Sequence, residues 1–384
     1  MQTIKKICNK ALLAMFWILL AITYSQLSYA DSKEYLTKWY EYKLQIAKPG
    51  TIATPIIDEI ANDLANNKKP IYSLIVDSNS LSLNTDSLEK LLNALKTNTT
   101  IKDLSFFNFS GENIEKIARI LGGDVFDYRK NNKSDWIISI AFTNSNDNIN
   151  VIEESTAKEI GLLINRGLVS LNLSGNKIGT DDLAIIVRNL PDSKLTHLYL
   201  NKTKTSRGGI GVLANALQSN YQLTLLSLDQ NNIDSDSALQ ILNAISDHLK
   251  SISLAENNIG NDKRIGQIVD KCIRKGVYNT NLAKNNISSA DIMDLVNLYV
   301  GDRIEFIFNL AENKIDAKGA SAIANSQIWK ASRTIINLNG NNIGFDGAMA
   351  LIKTANTKEK LEGLNLRMVD IEDSVAVINK HNEL

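Results

Sequence analysis

Two cysteines, four prolines and three histidines are all that this 384-residue chain holds of the residues that staple, break or ligate. Two cysteines cannot build a disulfide framework or a four-cysteine zinc site. Cys8 precedes the first apolar run, the wrong side of it for a lipid-modified cysteine, and Cys272 is then the one remaining thiol. With so little proline, no stretch reads as a Pro-rich linker, and none reads as a Gly/Ser-rich one. His197, His248 and His381 lack the neighbouring cysteines or carboxylates of a metal site, so neither metal nor cofactor is expected. Lys plus Arg equals Asp plus Glu at 42 each. A chain without a basic excess or stripe is not expected to take nucleic acid as its partner.

Long uncharged runs are confined to the start. Lys5, Lys6 and Lys10 precede the mostly apolar Ala11 to Thr23, and Ser28-Tyr29-Ala30 places small residues where a signal peptidase reads. Residues 1–30 are therefore expected to be a secretory signal peptide cleaved after Ala30. The alternative is an uncleaved anchor, which would be the chain's only membrane contact, but Tyr24, Ser25, Gln26 and Ser28 make its second half polar. Removal leaves 39 basic against 42 acidic side chains, a net charge of −3.

What the chain has in abundance is a repeat. LVSLNLSGNKI starts at Leu168, LTLLSLDQNNI at Leu223, LKSISLAENNI at Leu249, VYNTNLAKNNI at Val277 and RTIINLNGNNI at Arg333. Timed on the asparagine, the positions are Asn176, Thr203, Asn231, Asn257, Asn285, Asn313, Asn341 and Val369, with steps of 26 to 28 residues. An earlier copy, IYSLIVDSNSL, starts at Ile71 with Asn79 in the timing position. Two weaker copies start at Ile101 and Ile137, with Phe109 and Ser145 there. The alternating apolar residues predict a short strand with one face buried. The asparagine is expected to turn inward and pair with backbone groups that the turn leaves open. The second half of each unit has helical apolar spacing, as in IGVLANALQ from Ile210 and DIMDLVNLYV from Asp291. Gly122 to Asp135 reads as an inserted loop between the second and third repeats.

This unit resembles the ribonuclease-inhibitor-like class of leucine-rich repeats. The resemblance covers 70–372 and about eleven repeats of ~28 residues. It implies an α/β solenoid, a horseshoe with parallel strands on the concave face and helices on the convex face, no cofactor, and protein binding rather than catalysis. Residues 31–69 are expected to form an N-terminal helical cap, with helices Glu34–Ala47 and Thr54 to about Asn66. Residues 373–384 are expected to form a C-terminal cap and tail.

No catalytic residue stands out. Arg207-Gly-Gly-Ile-Gly211 lacks the G-K-[ST] ending of a phosphate loop, and Cys272 sits at an apolar position of IGQIVDKCIRKG, where a small core residue fits. His197, Tyr199, Asn201 and Asp229 form the richest patch among the outward strand positions, and are the expected partner-binding residues. Asn79, Asn176, Asn231, Asn257, Asn285, Asn313 and Asn341 are the expected structural ladder.

The Asn/Ile/Lys-rich composition and the S-Y-A-D junction point to a bacterial exported protein. The His381-Asn382-Glu383-Leu384 ending resembles an endoplasmic-reticulum retention signal with Asn in place of Asp. The expected function is an exported interaction module for a host or envelope protein, with no small-molecule substrate. The alternative is a non-catalytic regulator of an enzyme, a GTPase activator or inhibitor, working through the same surface.

Overall fold

The computed structural model describes residues 54–66, 72–78, 85–132, 137–145, 150–260, 262–298, 305–330, 333–354 and 364–365. All of them belong to one compact unit, Ile52–Leu384. The signal segment, the first expected cap helix, Asn79, Arg367, Val369 and the C-terminal tail lie outside the described residues.

In chain order the strands are β1 Ser73–Asp77, β2 Asp103–Phe107, β3 Ser139–Thr143, β4 Val151–Ile152, β5 Ser170–Asn172, β6 Lys177–Ile178 and β7 His197–Tyr199. They continue with β8 Leu225–Ser227, β9 Ser251–Ser253, β10 Asn279–Asn281, β11 Glu305–Asn309, β12 Arg333–Asn337 and β13 Leu364–Asn365. Eleven of them form one sheet in the order β1-β2-β3-β5-β7-β8-β9-β10-β11-β12-β13, and β4 pairs with β6 beside it. Every pairing is parallel. Helical segments fill the connections, and helices of successive repeats pack on one another. The fold is thus the α/β leucine-rich-repeat solenoid that the repeat implied.

One face of the sheet is the core. Leu74, Leu104, Ile140, Leu171, Leu198, Leu226 and Ile252 make one buried row, and Val76, Phe106, Phe142, Leu173, Leu200, Leu228 and Leu254 the next. Phe106 stacks on Phe142 with ring centres 5.7 Å apart. Helix residues such as Ile210, Leu213 and Leu217 close this face at helical spacing. Removing one such side chain to alanine costs about 2–5 kcal/mol.

A left-handed residue follows eight of the sheet's eleven strands, β2, β5 and β7 to β12, and aims the next residue inward. Non-glycine residues occupy it at Asn108, Lys202, Gln230, Glu256, Lys284 and Glu312, all with φ between 53 and 61°, and glycine occupies it at Gly175 and Gly340. Glycine is required at Gly175, because a Cβ there would lie 1.8 Å from the Asn144 carbonyl oxygen.

Two sequence expectations are corrected. The Gly122 to Asp135 insertion is not a loop where it is described. Gly111–Ile120 runs on through a π turn, Leu121–Val125, into the helix Phe126–Asn131. Leu121 and Val125 keep it on the core, and buried Arg129 anchors its end by donating to the carbonyls of Asn98 (3.1 Å) and Ile101 (2.8 Å). Second, the helix expected from Asp291 makes one α turn, Ser289–Ile292, and tightens to a 3-10 helix over Met293–Asn297. Asp291 caps the start of this turn, accepting the Ser288 N–H at 2.8 Å, and Asp294 one turn on is a poor helix-interior residue, because a short polar side chain competes for the backbone. Ser145, at the timing position of the third repeat, is exposed. Asn150 donates instead to the Asn176 side chain at 3.1 Å and accepts the Gly111 N–H at 2.9 Å.

Candidate protein-binding face

The sheet face away from the helices is built in straight rows, because parallel in-register strands put equivalent residues side by side. The central row runs Ile75, Ser105, Ala141, Asn172, Tyr199, Ser227, Ser253, Asn281, Asn309, Asn337 and Asn365. A second row includes His197, Leu225, Ser251, Asn279, Ile307 and Ile335. Of the central row's side chains among the described residues, Tyr199 alone is aromatic. It lies half-buried on β7, in register between Asn172 of β5 and Ser227 of β8, and on the same face as His197, whose own neighbour on β8 is half-buried Leu225.

Asn201 and Asp229 follow at the ends of their strands and do a structural job. Asn201 Oδ1 accepts from the Ser227 hydroxyl at 2.7 Å and the Asp229 N–H at 2.8 Å. Asp229 Oδ1 accepts from the Ser253 hydroxyl at 2.5 Å and the Ala255 N–H at 2.8 Å. These bonds tie each repeat to the next across the face. Burial raises the Asp229 carboxyl above the ordinary carboxylate range, against the lowering effect of its hydrogen bonds. Burial holds His197 below the usual imidazole value, and its Nδ1 lies 2.7 Å from the Thr196 hydroxyl. The four residues singled out in the sequence thus divide: His197 and Tyr199 offer ring surface, while Asn201 and Asp229 each commit an oxygen to the protein's own lattice.

Asn176, Asn231, Asn257, Asn285, Asn313 and Asn341 are all buried. Asn313 shows the bonding in full. Its Oδ1 accepts the N–H of Asn285 (2.8 Å) and Ile287 (3.0 Å) in the preceding repeat. Its Nδ2 faces the carbonyls of Leu282 (3.0 Å), Leu310 (2.9 Å) and Ala311 (3.2 Å). Thr203 keeps the position with a hydroxyl, which reaches the Leu200 carbonyl at 2.9 Å.

A second polar device was missed in the sequence. Asn98 Nδ2 donates to the Leu64 carbonyl at 3.0 Å and its Oδ1 accepts the Ile101 N–H at 2.9 Å. Asn220 repeats this with Leu190 at 2.7 Å and Leu223 at 2.9 Å. The signal was an asparagine three residues before the first apolar strand position, present in only some repeats.

Cys272 is fully buried, and burial pushes its thiol up to about 12. It is a core residue without thiolate character at neutral pH. The Arg207-Gly-Gly-Ile-Gly211 stretch is the first turn of the helix Arg207–Gln218, capped by the Ser206 hydroxyl on the Gly209 N–H at 3.1 Å. Among the described residues no group of three or more His, Cys, Asp or Glu is arranged to hold a metal ion, and no helix is long and apolar enough to cross a membrane.

No protein-family model matches the chain. The human NACHT, LRR and PYD domains-containing protein 13 is 34% identical over 102 residues, which is 26% of this chain and 10% of that protein. The human NACHT, LRR and PYD domains-containing protein 5 is 33% identical over 100 residues, 25% of this chain and 8% of that one. The match therefore spans a tenth or less of the length of these relatives. Among solved structures, a chain of the Rad7 and Elc1 complex in yeast is 16% identical with a TM-score of 0.43, covering 88% of this chain and 92% of its own. An internalin from Listeria monocytogenes is 14% identical with a TM-score of 0.38, covering 76% of this chain and 87% of its own. The recurring strand, left-handed turn, buried asparagine and helix, stacked along one parallel sheet, give this chain the leucine-rich-repeat fold.

Proposed function

We propose that the chain is an exported, non-catalytic interaction module that holds a host or envelope protein against the open face of its sheet, centred on Tyr199. Leucine-rich-repeat domains in general are protein-interaction modules, and a stack of repeats offers a long regular surface for that purpose. The observation that carries the location is the Tyr199 ring, half-buried in a central row made mostly of Asn and Ser, with the His197–Leu225 pair two residues back along β7 and β8. Tyrosine in such a setting presents large apolar area with few rotamers to freeze, which is why it dominates many interfaces. Export rests on the composition of residues 1–30.

The test is affinity for the protein captured from host-cell lysate or from envelope extract. Tyr199→Ala is expected to weaken binding at least about tenfold, or ~1.4 kcal/mol. Asn215→Ala, exposed on the helix Arg207–Gln218, is expected to leave it unchanged. Equal affinities for Tyr199→Ala and the parent chain would reject the site. An enzyme regulator using this face gives the same alanine result, and the identity of the captured protein separates the two readings.

A further inference from the structure

Three consecutive repeats carry nearly the same seven residues: SLAENNI from Ser253, NLAKNNI from Asn281 and NLAENKI from Asn309. Their strands β9, β10 and β11 are neighbours in register, so equivalent side chains line up across the face. Two rows result. Ala255, Ala283 and Ala311 are buried and form a small hydrophobic cluster of their own, separate from the main core. Next to them, the left-handed residues Glu256, Lys284 and Glu312 project into solvent. The Lys284 ammonium lies 3.5 Å from Glu256 Oε1 and 3.6 Å from Glu312 Oε2. One ammonium thus serves two carboxylates. The row alternates negative, positive, negative with an excess of one negative charge, and uncharged Gln230 and Gly340 flank it in the neighbouring repeats.

The spacing of this track selects its occupant. Adjacent strands lie about 4.8 Å apart, so the two carboxylates are roughly 9.6 Å apart. Same-face side chains of an extended peptide recur every ~6.7 Å, which falls out of step at once. A helix recurs every 5.4 Å, and its i and i+7 positions are about 10.5 Å apart. A second copy of this chain fits badly, since a two-fold axis through Lys284 would set Lys against Lys and Glu against Glu.

We propose that this charged row docks a partner helix bearing Lys or Arg at i and i+7 and Glu or Asp between them. The inference rests on the reading that the open face binds protein, and adds the chemistry of the segment bound.

The probes are fluorescein-labelled, alanine-based helical peptides with Lys-Glu-Lys at i, i+4 and i+7, a charge-swapped Glu-Lys-Glu peptide and a scramble, titrated with the whole chain by anisotropy. Lys-Glu-Lys is expected to bind at least about fivefold more tightly than the swapped peptide, the size set by two exposed ion pairs. The preference should fade at high salt and in a Glu256→Gln, Glu312→Gln double variant, and survive Tyr199→Ala. Equal binding of the swapped peptide, no binding of Lys-Glu-Lys up to about millimolar peptide, or an unchanged preference in the double variant would overturn the proposal. Self-association of the protein lost in the double variant would overturn it in favour of a second copy. A parent chain that does not discriminate the peptides while the Tyr199→Ala effect on partner affinity stands removes this inference alone.

Discussion

Asp229 and Asn201 stand at equivalent positions one repeat apart and accept equivalent bonds, a serine hydroxyl and a backbone N–H from the next repeat. Only one of them carries a charge, and burial makes that charge costly. The folded-state pKa of Asp229 is raised above its unfolded value of about 3.9. The folded chain therefore takes up this proton at higher pH than the unfolded chain. Ionised Asp229 weakens the fold at neutral pH, and the penalty is relieved as pH falls through the raised value. Asp229→Asn copies the neighbouring repeat and is expected to raise the urea midpoint at pH 7. The gain should shrink as pH approaches the unfolded carboxylate value. A lower midpoint at pH 7, or a pH-independent difference, would contradict this. His197 has the opposite sign: its lowered pKa contributes stability above the unfolded imidazole value of about 6.5 that is lost as pH falls. Strand parity alone showed that these residues share a face. Which oxygens are already committed depends on the side chains of the next repeat, and no local pattern encodes that.

Within each repeat, the turn and its asparagine set the element's limits. Asn313 and Asn309 lie in one repeat and differ in what they satisfy. Asn313 joins five backbone groups from two repeats, while Asn309 faces outward and its Oδ1 accepts the nearby Ala311 N–H at 3.2 Å. Asn313→Ala is expected to cost about 1–3 kcal/mol by leaving buried backbone groups unpaired. Asn309→Ala should stay within about 0.5 kcal/mol. Denaturant unfolding of the two variants checks this, and equal losses would contradict the inward ladder. The N-N-I string made the ladder legible wherever it occurs. The left-handed position before it was not legible, because Lys202, Gln230, Glu256, Lys284 and Glu312 carry no shared composition. The π turn at Leu121–Val125 hid the long helix, since it shifts the apolar period that would have announced it. Asn150 was hidden because a six-residue offset from Asn144 replaces the usual spacing to the strand.

At the scale of the molecule, a repeat array is stabilised mainly by contacts between neighbours, so its outward face is free to vary. That explains why the fold could be read across eleven strands while the binding site could not. The rows are dictated by register, but their chemistry is mostly Asn, Ser and Ala, and much of it is spent on bonds between repeats. Two features rise above that background: the Tyr199 ring and the Glu256, Lys284, Glu312 row. The central claim is that the open face, and not the helical back, meets another protein. A photo-crosslinking residue placed at position 199 and, separately, at position 215 tests it most directly, in the whole chain exposed to host lysate and to envelope extract. The account predicts a discrete protein adduct from position 199 and none from position 215. Adducts from position 215 with none from position 199 would contradict it.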